Sequence, residues 1–193
     1  MSAATGRRPA GLPWAAALAA ATLTALAPSA RTDTSPLTPL VDAAAQRLLT
    51  ADPVAAVKWH THGAIEDPGR VRDELGELSA AAVARHLDPG YVTRLFGDQI
   101  DATEAIEYGL FAEWKLNPTG VPAAPPDLSA SRSAIDGLNR TMLEQLAANQ
   151  DALHAPGCAA QLDAARGEVI AARRLDALHE RALQAATRSY CEG

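Results

Sequence analysis

Two basic residues, Arg47 and Lys58, are spaced so that they could bind an anion from one face of a helix. They are 11 residues apart, about 1100° of rotation at roughly 100° per residue, which is close to three whole turns. The residues beside them on this face are apolar. They share the face if the helix passes Asp52-Pro53 with only a mild kink.

Further polar residues recur at helical spacing later in the chain. Arg70 and Glu74 are four residues apart, as are Thr103 and Glu107, so each pair lies on one helix face. Arg132 falls in the first turn of another predicted helix, where a cation is unfavourable beside the helix dipole and calls for a reason. Taken alone, each of these charges is more simply explained as a solvated surface charge or a surface ion pair.

The composition favours a helical chain as the scaffold for these side chains. Apolar residues make up 48% of the sequence and aromatic residues only 4%, while Ala, Leu and Arg, which are strong helix formers, are abundant. Strand-forming residues are too sparse for an all-β fold, and the apolar content is too high for a disordered chain. We therefore predict an all-α fold. The net charge of −6 and the lack of a basic stripe argue against a nucleic-acid partner.

We predict a single domain, residues 31–193, that forms a bundle of about six helices. Turn-rich stretches separate helices at 61–69 and 88–90, and the Pro-rich stretch 118–126 is predicted to be a connector. Asp127 or Ser129 would cap the helix that follows this connector. The predicted helices span about 36–61, with a kink or restart at Asp52-Pro53, then 67–87, 89–117 and 129–153, followed by a helical hairpin at 157–190.

The first thirty residues are typical of a secretory signal peptide. Arg7 and Arg8 precede an apolar stretch at 12–27, and the small residues that follow place cleavage between 27 and 32. A transmembrane anchor is the alternative, but the stretch has about 16 residues where a spanning helix needs roughly 20. We expect a secreted or periplasmic protein without membrane attachment after cleavage. Its net charge would be −8, since residues 1–30 contain two Arg and no acidic residue.

Export gives a meaning to Cys158 and Cys191, the two cysteines of the chain. Outside the cytoplasm a single disulfide is the simple interpretation, and two free buried thiols are the alternative. A straight helix over the 33 intervening steps would span about 50 Å, whereas a disulfide needs its Cα atoms within roughly 7 Å. The disulfide therefore predicts that this segment doubles back into a hairpin, with the bend near 173–175.

Several stretches of the mature chain resemble the secreted chorismate mutases, the exported all-α type. The similarity covers nearly all of the mature chain in order, and the signal region carries little of it. The stretches are LVDAAAQRLLTADPVAAVKW (40–59), IEDPGRV (65–71), DPGYVTRLFGDQIDATEAIEYGLFAEWKLNP (88–118) and PPDLSASRSAIDGLN (125–139), with CAAQLD (158–163) and ATRSYC (186–191) at the cysteines.

The resemblance implies an intramolecular Claisen rearrangement of chorismate to prephenate that needs no metal or other cofactor. Such a site holds the flexible dianion in a chair-like shape and stabilises negative charge on the breaking ether oxygen. By matched position, Arg47 and Arg132 are implied to bind the two carboxylates of the substrate. Lys58 is implied to donate to the ether oxygen and to a carboxylate, which a compact ammonium on a flexible stem can reach.

The same matching implies roles for four other residues. Arg70 would help to hold the substrate, Thr103 would contact a carboxylate or its neighbouring backbone, and Glu74 would contact the ring hydroxyl at a position where relatives carry Gln or Glu. Glu107 would face the ether oxygen and would stabilise it only when protonated. Burial raises a carboxyl pKa and nearby cations lower it, so the sequence leaves the sign of the shift at Glu107 open.

The similar enzymes are homodimers, so the resemblance also implies a homodimer. A second function class stays open: a helical protein on the same scaffold that has lost catalysis and binds a dicarboxylate or a protein partner. His60 and His62 form an H-x-H pair, but a zinc site needs three or four ligands, so we expect no metal. The sequence Asn139-Arg140-Thr141 fits the glycosylation pattern but lies in a predicted helix, and we assign it no role.

Overall fold

A computed structural model of the protein describes residues 1–3, 5–6, 34–122 and 128–192. Apart from its first few residues, the predicted signal peptide lies outside these ranges, as do the cap Asp127 and the end of the predicted connector. The segment Asp33–Gly193 forms one compact unit. No helix within the described ranges is both long and apolar enough to cross a membrane.

The described part of this unit is all-α, as the composition predicts, and contains no strand. A single 3₁₀ turn, Pro118–Gly120, lies within the predicted connector. The helices are α1 (Thr38–Leu49), α2 (Ala51–Thr61), α3 (Pro68–Val83), α4 (Pro89–Leu116), α5 (Leu128–Ala148), α6 (Gln150–Leu153), α7 (Cys158–Arg173) and α8 (Ala177–Ala186).

The restart predicted at Asp52-Pro53 separates α1 from α2 and lies at Thr50. Pro53 has no N–H for the carbonyl of Leu49, and its ring would crowd that carbonyl, so the helix opens just before the proline. Thr50 keeps a helical backbone (φ −71°, ψ −13°), and its hydroxyl donates to the Arg47 carbonyl at 2.7 Å. The two helices therefore follow each other without a loop, and this keeps Arg47 and Lys58 on one side.

The core is built around α1, which packs against α4, α5, α7 and α8. Its buried residues include Leu40, Val41 and Leu48, each at most 1% exposed, and the run 43–45 of three alanines. Because alanine side chains are small, neighbouring helices can approach this run closely. The Ala-rich composition thus serves helix packing as well as helix formation.

The longest helix, α4, connects the core to the polar residues predicted to bind substrate. Its buried Leu95, Phe96 and Ile106 belong to the main hydrophobic core. The helix packs against α2, α3 and α8. At Gly109 a Cβ atom would lie 2.9 Å from the Leu178 side chain of α8, so any larger residue would require that side chain to shift.

The C-terminal segment is the hairpin that the cysteines predict. It turns at Arg174, which has a left-handed backbone (φ 52°), and Asp176 then caps α8 by accepting hydrogen bonds from the backbone N–H groups of Leu178 and His179. Cys158 and Cys191 form the predicted disulfide, with their Cα atoms 5.7 Å apart. The bond joins the start of α7 to the turn after α8 and closes the hairpin.

Removing the disulfide should destabilise the domain without changing its fold. Closing a loop with a sequence separation of 33 restricts the unfolded chain and is worth about 3–4 kcal/mol in the chain-entropy model. The variant Cys158→Ser/Cys191→Ser should lose about that much free energy of unfolding, measured by urea denaturation. A reductant should lower the midpoint of the wild-type protein and leave that of the variant unchanged. Equal midpoints for the oxidised wild type and the variant would contradict the prediction.

Candidate active site

Five helices contribute residues to a cavity of about 110 Å³ in the described part of the chain. Six of the seven residues predicted to bind substrate line this cavity. Apolar side chains form much of the remaining wall: Val54, Ile65, Val71, Ile100 and Ile135. The six predicted residues are Arg47 from α1, Lys58 from α2, Arg70 and Glu74 from α3, and Thr103 and Glu107 from α4.

Arg47 is the buried cation of this cavity, with 3% of the residue exposed. Its Nη2 donates to Oε1 of Glu74 at 2.6 Å, and its Nε donates to Oδ1 of Asn139 at 2.8 Å. Its Nη1 makes a longer bond of 3.4 Å to the hydroxyl of Thr103, which in turn donates to the Gln99 carbonyl at 2.8 Å. Partners on α3, α4 and α5 thus fix the plane of the guanidinium.

Burial lowers the pKa of Arg47, and the ion pair with Glu74 opposes this effect. A guanidinium nevertheless stays charged in proteins, so the charge must be balanced where it lies. Glu74 supplies that balance from a side chain that is itself only 15% exposed. A bound carboxylate would meet a cation that is desolvated and already oriented, and both properties strengthen the attraction.

Lys58 and Glu107 form the second charged pair of the cavity. Nζ of Lys58 donates to Oε2 of Glu107 at 2.7 Å and to the backbone carbonyl of Ile65 at 2.7 Å. The chain reverses after α2 because His62 adopts a left-handed backbone (φ 54°), and this reversal brings Ile65 back to the lysine. Among the described residues, these bonds use two of the three N–H donors of Lys58.

The Glu107 side chain is only 3% exposed, and burial raises its pKa above the ordinary value. The hydrogen bond and the charge of Lys58 oppose the shift, but burial outweighs them. Glu104, one turn earlier on α4 and also at the cavity, has its pKa raised by burial and then by the nearby carboxylate of Glu66. The net pKa shift of Glu107, whose direction the sequence left open, is therefore upward, and it favours the protonated form.

Arg132 is the predicted residue that does not line this cavity. It is exposed on α5 and lines an adjoining concavity of about 920 Å³ between α3 and α5. The two spaces share Asp67, Arg70 and Glu74 as lining residues. Because α5 begins at Leu128, Arg132 also lies beyond the first helical turn in which the sequence places it.

Comparison with known proteins identifies the family. The family model for chorismate mutase type II matches residues 38–108. The secreted chorismate mutase of Mycobacterium tuberculosis is 58% identical over 166 residues, which cover 86% of this chain and 83% of that protein. The chain belongs to the secreted chorismate mutase family. A second relative of that name, from Mycolicibacterium smegmatis, is 50% identical over 159 residues, 82% of this chain and 88% of the relative.

Solved chorismate mutase structures have the same architecture. The crystal structure of chorismate mutase from Burkholderia phymatum superimposes with a TM-score of 0.78 at 29% identity and covers 82% of this chain and 97% of that one. The enzyme from Burkholderia thailandensis gives 0.77 at 33% identity, covering 81% and 99%. Both confirm the all-α scaffold predicted for a secreted chorismate mutase.

Sequence reasoning missed several residues at the candidate site of this chorismate mutase. Asn139 bonds to both Arg47 and Glu74, and Ile65 contributes a backbone carbonyl, which no side-chain pattern reveals. A signal for Asn139 did exist, because it follows Arg132 by seven residues, about 20° short of two full turns. Both residues line the larger concavity, as this spacing implies.

Replacing Arg47 should destabilise the fold more than replacing Arg70, the exposed arginine that also lies near Glu74. Arg47→Leu leaves Glu74 without its closest cation in a desolvated setting, and we expect a loss of about 2–4 kcal/mol in the free energy of unfolding. The matched variant Arg70→Leu should change it by less than about 0.5 kcal/mol, because the Arg70 side chain is 47% exposed and 4.0 Å from Glu74. Urea denaturation measures both, and equal stabilities would contradict the buried ion pair.

Proposed function

We propose that this protein is an exported chorismate mutase that converts chorismate to prephenate by restraining the substrate and stabilising charge on its ether oxygen. The observation that carries the proposal is the convergence of Arg47, Lys58 and Glu107, with three further predicted residues, on one cavity. A dicarboxylate needs cations that are held apart in fixed positions, and the structure has such cations there. The family membership supplies the reaction that fits this arrangement.

The reaction is a rearrangement within one molecule, so the site acts mainly by positioning and electrostatics. Arg47, oriented by bonds from three helices, binds one substrate carboxylate. Arg70 and Thr103 add donors beside it, and Glu74 accepts a hydrogen bond from the ring hydroxyl. The apolar wall excludes water and favours the compact, chair-like shape that brings the two reacting carbon atoms together.

Negative charge develops on the ether oxygen as the carbon–oxygen bond breaks. Lys58 places an ammonium at this oxygen, held on one side by the Ile65 carbonyl. Glu107 in its protonated form donates a second hydrogen bond, whereas its carboxylate would repel the developing charge. The raised pKa of Glu107, caused by burial, keeps more of the enzyme in that active form at a given pH.

Arg132 is proposed to bind the second carboxylate from the side of the larger concavity. Support comes from its matched position in the family resemblance and from the lining residues that the two spaces share. We also propose that residues 1–30 are the signal peptide that directs export, and that the enzyme is a homodimer. The relatives are named as secreted proteins, which agrees with export.

The proposed cations can be tested with the mature protein and chorismate, by following the loss of the substrate's ultraviolet absorbance. Lys58→Ala and Arg132→Ala should each lower kcat/KM by at least about 10²–10³, because each removes a donor aimed at charge in the transition state. Lys115→Ala and Arg181→Ala remove the same charges at exposed positions and serve as matched controls that should stay active.

The helical circular dichroism spectrum should be unchanged in all four variants. A folded wild-type protein that does not accelerate the reaction would refute the proposed activity and favour a binding protein on the same scaffold. An active Arg132→Ala variant would show that Arg132 does not bind the substrate, and it would leave the roles of the other residues unchanged.

The pH dependence of the reaction tests the protonation state of Glu107. Because burial raises the Glu107 pKa, the protonated form persists above pH 4.5, the ordinary value for Glu, and is lost as the pH rises through the raised pKa. Activity should therefore fall on the alkaline side of that pKa. Glu107→Gln should retain activity and flatten this fall, since the Gln amide donates at every pH.

The matched control is Glu113→Gln at an exposed position of α4, which should leave the pH profile unchanged. A Glu107→Gln variant that is inactive at every pH although folded would show that the role assigned to Glu107 is wrong.

A further inference from the structure

We infer that Asn139 is a positioning residue that orients Arg47 and Glu74 for the substrate. This inference rests on the proposed function for its kinetic consequence, but the contact itself can be tested separately. Asn139 lies on α5, is 7% exposed, and has no place among the residues that the sequence assigns to substrate. Its side chain reaches from α5 to residues of α1 and α3.

Asn139, Arg47 and Glu74 form a closed ring of three hydrogen bonds. Arg47 Nε donates to Asn139 Oδ1 at 2.8 Å, and Asn139 Nδ2 donates to Glu74 Oε1 at 3.1 Å. Arg47 Nη2 closes the ring by donating to the same Glu74 oxygen at 2.6 Å. Each member is held by the other two, so neither charged side chain can rotate without breaking two of the three bonds.

The chemistry of the partners fixes the orientation of the amide. A guanidinium has only donors, so the Asn139 atom that faces it must be the oxygen. The amide nitrogen then necessarily faces Glu74, which as a carboxylate has only acceptors. Reversing the amide would place donor against donor and acceptor against acceptor, and this excludes the alternative assignment of its oxygen and nitrogen.

The ring also determines which oxygen of Glu74 can serve a ligand. Oε1 already accepts two hydrogen bonds, from Arg47 and from Asn139. Oε2 lies 4.0 Å from Arg70 Nη2, beyond hydrogen-bond distance, and Glu74 lines the cavity. Oε2 is thus the acceptor that remains for a ligand, and it selects a group that donates, such as a hydroxyl. Asn139 would therefore contribute to specificity without touching the substrate.

The test compares four variants of the mature enzyme. Asn139→Leu is close in shape but breaks two bonds of the ring, and kcat/KM should fall about 10- to 100-fold, since two polar groups in a desolvated site lose a partner. Asn149→Leu is the matched control, because the Asn149 side chain, between α5 and α6, bonds to Gln145 of the preceding turn, and the variant should keep wild-type activity.

The other two variants exchange the amide and the carboxylate in two steps. Asn139→Asp retains the oxygen that faces Arg47 Nε but sets a second carboxylate oxygen against Oε1 of Glu74, so its kcat/KM should fall below that of the wild type. In Asn139→Asp/Glu74→Gln the amide donates from position 74 to the carboxylate at position 139. Its kcat/KM should recover relative to Asn139→Asp alone because the contact between two acceptors is removed, although the bond from Arg47 Nη2 to position 74 is lost. If Asn139→Leu does not fold, Asn139→Ser takes its place, since its shorter side chain cannot reach both partners.

A second readout does not depend on activity. The Arg47 Nε–H proton, buried and bonded to Asn139, should exchange slowly with water in a nitrogen-15 NMR spectrum, and Asn139→Leu should expose it to fast exchange. Loss of both protection and kcat/KM supports the inference. Unchanged protection, or unchanged kcat/KM in an active enzyme, overturns it. If the wild-type protein has no mutase activity while protection still depends on Asn139, the proposed function fails and the contact remains established.

Discussion

The structure depends on keeping a charged guanidinium, that of Arg47, inside a helical bundle. A buried cation is costly unless its donors are satisfied and its charge is balanced, and here the partners come from three further helices: Glu74 on α3, Thr103 on α4 and Asn139 on α5. These partners constrain the helices to one relative arrangement. The same constraint makes the site rigid, because side chains that satisfy the cation are already oriented for a carboxylate.

In the pair of Lys58 and Glu107 the buried partner is the acid and not the cation. Because of this burial, the pKa of Glu107 rises although the partly exposed ammonium lies 2.7 Å away. In the Arg47 cluster the chain supplies a carboxylate to balance the charge, while at Glu107 burial favours removing the charge by protonation. A reaction that holds carboxylates and develops negative charge on an oxygen benefits from both: a fixed cation for one group and a neutral donor for the other.

Patterns within a single helix could be predicted from the sequence, and contacts between helices largely could not. The restart before Pro53 follows from local stereochemistry. The disulfide follows from a single pair of cysteines in an exported chain, and the bend near Arg174 follows from the disulfide; all three are confirmed. Helical spacing also placed Arg47 and Lys58 on one side. Spacing does not fix how one helix is rotated against the next, so the contact of Asn139 with α1 and α3 was not predicted. The roles of the site residues came from family resemblance, because periodicity cannot separate Arg70 from a surface arginine.

The net charge of the chain is likewise a poor guide to the charge of its ligand. An acidic protein, at −6, is an unexpected binder of a dianion. Most acidic side chains lie in water, however, where charges are strongly screened over about 10 Å. Arg47 lies out of water beside its balancing carboxylate Glu74, and at such short range with little screening the position of each group decides what a ligand meets. The attraction that a ligand experiences is therefore determined by the few desolvated groups around it, and net charge, which counts exposed and buried groups equally, carries little information about the sign of that ligand.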